Sequence, residues 1–516
     1  MPQGGRILVV EDDLVSQRFL QLALQKKGYK VETAESVTEA WAILSPGIGD
    51  YDCVLSDYRM PERDGLELLS LIQQQNPGLA TIIITAEGEK NLVTESLRGG
   101  AADFLDKPVS LESLHTAVAL AVQRTNRQRH LERSETAVKT VGRAQARMLG
   151  TEVAHGRTRV EICFHPKHEA GGDFFSRFQP TPDIFCGLLT DVSGHDLQAA
   201  YVSAYFQGIV RGMLERGAPM TEIFARFNRL LLEEWNQIGG FSPETSEIKA
   251  SVAACAISID SAAQTATVLV HGMPAPIYWL PDGEARVVGE TGGFPLGWFP
   301  DLPVQGTVQS ITGGGAFCLW TDGLEQAAEK NGVSELSLAC ALQGAKSRGQ
   351  RPAELDSAED DVLVAEAWLS PPQTMAEAFR PLLLEQYHGG LCGEINRLQA
   401  YWQRSLMVAV PELPESTQHD VLLGAREALL NALKHGCGGR AAEGASFQIA
   451  CSSRRRSIRV RVSDPGPGHA FDSDRHQRRA ATELLEEHLG LFLIKQLAST
   501  VDFKRNGASV TMDFTW

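Results

Sequence analysis

The sequence predicts a multidomain chain of about three folded units, the first an α/β doubly wound parallel sheet. Its length, 516 residues, divides into three at the ~150 residues usual for one domain. Within residues 1–123 five short apolar runs (RILVV, KVETA, CVLSD, TIIIT, DFLDK) alternate with helical patterns, as expected of parallel strands covered by helices on both faces. Charge also changes in blocks: the formal net of −16 divides into −8 over 1–123, +5 over 124–150, −14 over 151–370 and +1 over 371–516.

Hydrophobic residues make up 43% and charged residues 22% of the chain, the composition of an ordinary folded soluble protein. The acidic balance argues against a chain that coats nucleic acid or an anionic membrane. No apolar run approaches the ~18–20 residues of a membrane span, and the start MPQGGRILVVEDD lacks the layout of a signal peptide. Nine scattered cysteines, never spaced CxxC, read as reduced thiols, so the expected location is cytoplasmic.

In the first block the chemistry-bearing residues stand where strands end. Glu11 and Asp12 close the first run, Asp57 the third, Thr85 the fourth and Lys107-Pro108 the fifth. Ligands of a doubly wound sheet bind at that edge. Three carboxylates gathered there need a hard cation, and oxygen-only ligation suits Mg²⁺. Asp57 is then placed to attack a phosphoryl donor, with the Lys107 ammonium offsetting charge on the transferring oxygens. The stretches ILVVEDD, LSDYRMPERDGLELL, IIITA and DFLDKP, in this order, resemble the response-regulator receiver family over essentially all of 1–123. That resemblance implies Asp57 as phosphoacceptor, charged by a sensor histidine kinase. It implies Glu11, Asp12 and the Arg59 carbonyl as the rest of the Mg²⁺ site, Thr85 and Lys107 as sensors of the phosphoryl group, and Phe104 as an aromatic that changes rotamer.

The basic stretch that follows lacks proline and continues a helical run, which predicts one helix over 110–148 with a linker at 124–150. Leu131, Val138, Val141 and Met148 make a weak heptad-like stripe. It fits a coiled coil that joins a homodimer, or a solvated linker helix packed on its own domain. The acidic turn SAEDD and the prolines of SPPQ mark a second boundary near 370.

Over 151–370, Asp173 follows AGG, Asp191 opens DVSGH, Asp322 sits in WTDGLE and Asp360 opens DDV. Glycine beside an aspartate allows backbone and carboxylate to approach one ion closely. Carboxylates at the ends of facing strands would form an all-oxygen dinuclear site. The order GGD…DVSGH…GGFPLG…TDGLE…DD resembles the metal-dependent PPM (PP2C-like) serine/threonine phosphatases, in their bacterial sporulation and stress-response branch. The resemblance implies an α/β sandwich and a Mn²⁺ or Mg²⁺ pair bridged by Asp191. The Val192 carbonyl, Asp173, Asp322 and Asp360 would complete the cluster. The sequence departs from the pattern at His271 and Met273, at Asp196 and at Leu363.

In 371–516, Glu427, Asn431 and His435 recur every four residues of DVLLGAREALLNALKHG and share one helix face. Asp464 stands where a strand enters the glycine-rich turn DPGPG, and EHLGLFLIKQL reads as a loop entering a helix. EALLNALKHG, DPGPG and HLGLFLI resemble the GHKL ATPase fold, an α+β architecture, in its short anti-sigma-factor serine kinase form. That implies ATP as ligand, with Mg²⁺ on Asn431, Glu427 as general base and Asp464 reading the adenine amino group. Gly466, Gly468 and Gly490 would shape the pocket, and His488 stands where a glycine is usual.

Together these expectations describe a receiver-controlled switch in which serine phosphatase and serine kinase act oppositely on a small anti-anti-sigma (STAS) partner. Phosphorylation of Asp57 is expected to favour dephosphorylation. The alternative is a C-terminal domain that sequesters a sigma factor or its antagonist without catalysis. A DNA-binding regulator is disfavoured, because no basic recognition helix ends the chain.

Overall fold

The computed structural model describes residues 5–86, 100–149, 153–155, 158–167, 171–194, 197–235, 251–348, 351–369, 375, 377–438, 443–468 and 486–516. The chain forms two compact units, Met1–Ala137 and Val138–Trp516.

In the first unit the parallel sheet runs Lys30–Ala34, Arg6–Val10, Cys53–Asp57, Thr81–Ala86, Asp103–Lys107. Its central strands are apolar throughout because both faces are covered. Ile7, Val9, Leu55 and Ile84 pack with Leu20, Ala117 and Val118 on one side; Leu8, Val10 and Val54 pack with Val37, Ala40, Leu68 and Ile72 on the other. Two helices that enter from the functional edge, Leu14–Lys26 and Gly65–Gln75, are fixed by caps. Asp13 accepts from the Ser16 N–H at 2.9 Å, and Asp64 accepts from Leu66 and Glu67 N–H, both at 3.0 Å. The acidic run 11–13 therefore divides its labour, with Asp13 serving the helix.

The helix predicted over 110–148 runs Leu111–Leu149. Arg129 holds Asp52 at 2.6 Å and the Thr125 hydroxyl accepts from the Ala80 N–H at 2.9 Å, so its first half is packed on the receiver sheet. Of the stripe residues, Leu131 is exposed and Val141 half-buried; the side chains of Val138 and Met148 lie outside the described residues.

The second unit opens with a sandwich of two antiparallel sheets. One sheet is ordered Thr307–Ser310, Thr265–His271, Val252–Asp260, Ile184–Val192, Phe174–Thr181; the other Ala285–Val287, Ile277–Trp279, Ala316–Trp320, Val362–Trp368, Thr158–His165, Val153–His155. Phe175, Leu189, Ile257, Phe317, Leu319 and Leu363 fill the space between them. Helices Leu197–Leu214 and Met220–Leu230 cover the first sheet, and Asp322–Asn331 and Glu335–Arg348 the second.

A third sheet, Arg380–His388, Gly444–Ser452, Ser457–Ser463, Ser509–Thr515, Thr500–Lys504, carries helices Ile395–Ala409, Glu415–Asn431 and Glu486–Leu497 on one face. Its strand residues also reach the sandwich. The Gln448 amide exchanges hydrogen bonds with the Ala285 backbone at 3.2 and 3.0 Å, and Arg461 pairs with Asp282 at 3.1 Å. Arg380 lies 3.3 Å from Glu161 and 3.4 Å from Glu366, while the Ser337 hydroxyl donates to the Leu382 carbonyl at 2.9 Å.

Candidate catalytic and nucleotide sites

Predicted residues lie near one another in three regions, and in each the glycines mark where the backbone passes closely.

At the receiver edge, Glu11, Asp12 and Asp57 each bring a carboxylate oxygen within 4.8 Å of the others, and among the described residues no other group of three does so. Glu11 and Asp57 are buried, Asp12 exposed. Lys107 Nζ lies 2.9 Å from Asp57 and 2.9 Å from Glu11 Oε2, and donates to Glu11 Oε1 at 3.0 Å. Burial is the largest influence on both partners. It raises the Glu11 pKa above the usual carboxylate range against the pull of Lys107. It lowers that of Lys107, but the two carboxylates together outweigh it and the ammonium ends above its ordinary value. Thr85 is buried at the end of its strand, and Ile84 and Ala86 lie in register with Asp57 and Lys107 respectively. Phe104 is half-buried. The turn that closes this edge needs Gly65, since a Cβ there would meet the Asp57 carbonyl at 2.3 Å.

The sandwich aspartates come from both sheets at one end. Asp191 sits in register with Ala253 near the end of Ile184–Val192. Asp173 immediately precedes Phe174–Thr181, Asp322 is the first residue of its helix, and Asp360 lies just before Val362–Trp368. Asp173 is buried and its Oδ2 has no hydrogen-bond partner. Burial, then the neighbouring charge of Asp191, hold its pKa well above the ordinary range, against a bond from Thr321. Burial and the fields of Asp322 and Asp360 push Asp191 up to about 7. Asp322 is raised for the same reasons, burial first and Asp360 second. No three of these aspartates bring carboxylate oxygens within 4.8 Å of one another, but a buried, unpartnered carboxylate oxygen among like charges is what a divalent cation would satisfy, so the chemistry of the donor set suits a hard metal. Gly172 admits the Val192 carbonyl, which a Cβ would meet at 2.2 Å, and Gly323 lets the helix of Asp322 rest on the Asp360–Asp361 turn, with a Cβ 2.1 Å from the Asp361 carbonyl.

Two residues escaped the sequence reading. Asp361, not Asp360, is the buried member of the pair; it accepts from the Lys167 N–H at 2.7 Å and lies against Gly171. Asp360 is exposed and accepts from the Asp361 N–H at 2.8 Å. Gln145, buried on the Leu111–Leu149 helix, donates to the carbonyls of Gly171 (3.1 Å) and Asp173 (2.6 Å) and accepts from the Gly171 N–H (3.2 Å). Nothing local distinguishes this glutamine in a polar helix; only the contact 26 residues away does. His271, at a departure from the family pattern, is buried with Nε2 unpartnered. Burial holds its pKa below the ordinary value despite a bond to the Phe294 backbone. Asp196 lies outside the described residues.

In the third region the helix carrying Glu427 and Asn431 runs on as a wider turn over Ala432–Gly436. Gly490 packs against both side chains: a Cβ there would lie 3.0 Å from Glu427 Oε2 and 3.5 Å from Asn431 Nδ2. Glu427 Oε1 accepts from Arg426 at 2.7 Å. Asp464 Oδ1 accepts from the Gly466 N–H at 2.9 Å, and its carboxylate occupies the space a Gly436 Cβ would need, 2.0 Å from Cγ. Gly468, at φ +68°, approaches the carbonyls of Arg505 and Asn506 within 2.6 Å of where a Cβ would stand. A carboxylate and an amide on one helix face, with glycines in close contact beside them, are groups that suit a nucleotide and its cation. The His488 side chain lies outside the described residues, as do residues 469–485.

The chain is similar to three families in succession. Residues 7–119 match the response regulator receiver domain, 185–363 the stage II sporulation protein E (SpoIIE) family, and 394–516 the histidine kinase-like ATPase domain. The second match contains Asp191, Val192, Asp322 and Asp360 and begins after Asp173. Over 196 residues the chain is 31% identical to the transcriptional regulatory protein GlrR of Escherichia coli (strain K12), a stretch covering 36% of this chain and 44% of GlrR. It thus spans less than half the length of that relative. A receiver domain structure from Clostridium thermocellum is 31% identical over 25% of this chain and 98% of its own, with a TM-score of 0.23. The RsbU and RsbW domains of Rv1364c from Mycobacterium tuberculosis are 19% identical over 70% of this chain and 95% of their own, with a TM-score of 0.32.

Proposed function

From a chain that carries a response-regulator receiver, a SpoIIE protein phosphatase domain and a histidine kinase-like ATPase domain in that order, we propose a partner-switching regulator. In this reading the phosphatase removes phosphate from a serine of a small STAS-type protein, the C-terminal domain uses ATP to restore it, and phosphorylation of the receiver sets the balance. The observation that carries the phosphatase half is the Asp173–Asp191 pair: a buried and a half-buried carboxylate, both with raised pKa values, with one oxygen of Asp173 unpartnered.

Asp173, Asp191, Asp322, Asp360 and the Val192 carbonyl would hold Mn²⁺ or Mg²⁺, which when bound supplies positive charge for the phosphoryl oxygens and acidifies a water. The protein's own share is positional. Gln145 and Gly172 fix the loop that aims Asp173, and Thr321 bonds its carboxylate. In the receiver, Asp57 would accept a phosphoryl group from a histidine kinase. Lys107, already 2.9 Å from Asp57, would keep the modified side chain neutralised, with Thr85 as second sensor and Mg²⁺ held by Glu11, Asp12 and Asp57.

In the C-terminal domain Asn431 would bind the Mg²⁺ of ATP, Asp464 the adenine, and Gly466, Gly468 and Gly490 the walls. Glu427 would take the serine proton. One observation favours the alternative of capture without catalysis: Glu427 is engaged by Arg426 at 2.7 Å, and a base so paired must exchange that bond before it acts.

The test measures Mn²⁺-dependent phosphate release from a serine-phosphorylated STAS protein by the wild-type chain and by Asp191→Ala. Equal rates would remove the phosphatase reading. Labelled-ATP transfer by wild type and Glu427→Ala decides the kinase half separately, since unchanged transfer would remove Glu427 as base and no transfer by either would favour capture.

A further inference from the structure

Three large aromatic side chains stand exposed together in and just after the GGFPLG stretch. Phe294, Trp298 and Phe299 are 51%, 54% and 45% exposed. They nevertheless pack on one another, Phe294 edge-on to Phe299 at 4.8 Å and 6.1 Å from Trp298. Exposed aromatics in contact form a continuous apolar patch, the kind of surface that marks an interaction site rather than scattered exposure.

The loop is held in place from beneath. Leu296 is fully buried and exchanges backbone hydrogen bonds with Val252 at 3.1 and 2.9 Å. The buried Asn228 donates to the Phe299 carbonyl at 2.9 Å and accepts from the Gly297 N–H at 2.7 Å. Gly292 pairs with Gly272 and Met273 through two bonds of 2.8 Å, and His271 bonds the Phe294 backbone. A ledge fixed this way loses little entropy when a partner covers it.

Its position points to one partner. Val252 is in register with Val192 on one side and bridges Leu296 on the other. Two strand spacings of about 4.8 Å each place the ledge's root about 10 Å from the Val192 carbonyl. We propose that Phe294, Trp298 and Phe299 form the docking ledge for the phosphatase's substrate, a folded phosphoserine protein presenting aliphatic side chains beside the phosphorylated residue. This rests on the phosphatase reading above. Charge argues the same way: residues 151–370 carry a net −14, which opposes the approach of a phosphoprotein. Apolar burial supplies the affinity that long-range electrostatics cannot, and aromatic side chains are the usual anchors of such contacts.

The experiment compares the full chain with Trp298→Ser and with the triple variant Phe294→Ser/Trp298→Ser/Phe299→Ser on three probes. These are p-nitrophenyl phosphate, a serine-phosphorylated STAS protein, and a short phosphoserine peptide cut from that protein. Wild type is expected to favour the folded protein over the peptide at least tenfold in kcat/KM. Trp298→Ser should lose part of that preference through KM, and the triple variant nearly all of it, with both small probes hydrolysed within twofold of wild type. A preference that survives in the triple variant overturns the ledge, as does a wild-type chain that hydrolyses the small probes without favouring the folded protein. Sedimentation that shows the triple variant dissociating a wild-type dimer would assign the ledge to a second copy and overturn it too. Hydrolysis of none of the three probes by wild type is the different failure, because it removes the phosphatase reading and the ledge with it.

Discussion

The Gln145 side chain donates to the Asp173 carbonyl at 2.6 Å, and the same amide closes a two-way bridge to Gly171. A residue of the helix that leaves the receiver thus fixes the loop from which a candidate metal ligand projects. Groups that orient ligands from behind are worth about 10–100-fold in metal affinity or activity. Gln145→Leu is therefore expected to raise the Mn²⁺ concentration needed for half-maximal phosphate release by about that factor, with circular dichroism unchanged. Gln145→Glu keeps an acceptor for Gly171 N–H but loses both donations, so it should resemble the leucine variant. An unchanged Mn²⁺ titration in both would reduce the contact to packing.

The site's acidity makes a second prediction with a definite sign. Asp191 is raised to about 7 and Asp173 well above its ordinary value, so the folded metal-free chain binds more protons than the unfolded chain between about pH 4 and 7. Stability from these groups is complete below the unfolded carboxylate pKa and is lost as pH rises through 7. The metal-free melting temperature should fall from pH 5.5 to 8, and Mn²⁺ should restore more at pH 8 than at pH 5.5, since binding displaces protons. Asp191→Asn should flatten the slope; a slope of the same size in that variant would assign it elsewhere.

Much of this site was legible because the chemistry imposes local patterns. Asp57 and Lys107 stand at the ends of apolar runs, and a parallel sheet forces such ends to one edge. Asp173 and Asp322 were marked by adjacent glycines and Asp191 by the DVSGH stretch, and Gly172 and Gly323 prove to be the points where backbone must pass within a Cβ's reach. What stayed hidden depends on contacts distant in sequence. Gln145 looks like any polar residue of a solvated helix, and the burial of Asp361 rather than Asp360 follows from Gly171 and Lys167 closing over it. The aromatic ledge was hidden for a related reason: composition shows an aromatic residue but not which side of the loop it occupies.

In the receiver, Lys107 is the one cation in direct contact with both buried carboxylates among the described ion pairs. Lys107→Ala leaves Glu11 and Asp57 facing each other. Because the lysine is a third exposed, the expected loss is about 1–3 kcal/mol rather than the full cost of breaking a buried pair. Chemical denaturation without metal should show this loss, and added Mg²⁺ should recover much of it by supplying the missing charge. Equal destabilisation with and without Mg²⁺ would mean that cation and lysine do not share these carboxylates.

Arg380 plays the corresponding part between the sandwich and the third sheet. It lies 3.3 Å from Glu161 and 3.4 Å from Oε2 of the buried Glu366, an oxygen that also accepts from the Trp368 indole N–H at 3.0 Å. Burial raises the Glu366 pKa and Arg380 opposes it. Arg380→Met should cost about 2–4 kcal/mol by leaving Glu366 uncompensated, and adding Glu366→Gln should return a large part of the loss. Urea unfolding decides between this and simple packing, for which the second change would bring no recovery.

The proposed nucleotide site offers the sharpest steric test. Asp464 occupies the volume a Cβ on Gly436 would require, 2.0 Å from its Cγ and 2.2 Å from Oδ1, and the same carboxylate orders the turn through the Gly466 N–H. Gly436→Ala must therefore push Asp464 from its position, whereas Asp464→Asn keeps the volume and exchanges an acceptor for a donor. If Asp464 reads an amino group of the base, both variants should weaken binding of a fluorescent ATP analogue, about tenfold or more for a lost buried charged hydrogen bond. They should differ on GTP: Asp464→Asn, able to donate to a carbonyl, should narrow the preference for adenine, while Gly436→Ala should lower affinity for both nucleotides alike. Equal ATP affinity in all three proteins would place the base away from Asp464 and leave Asp464 a structural partner of Gly466.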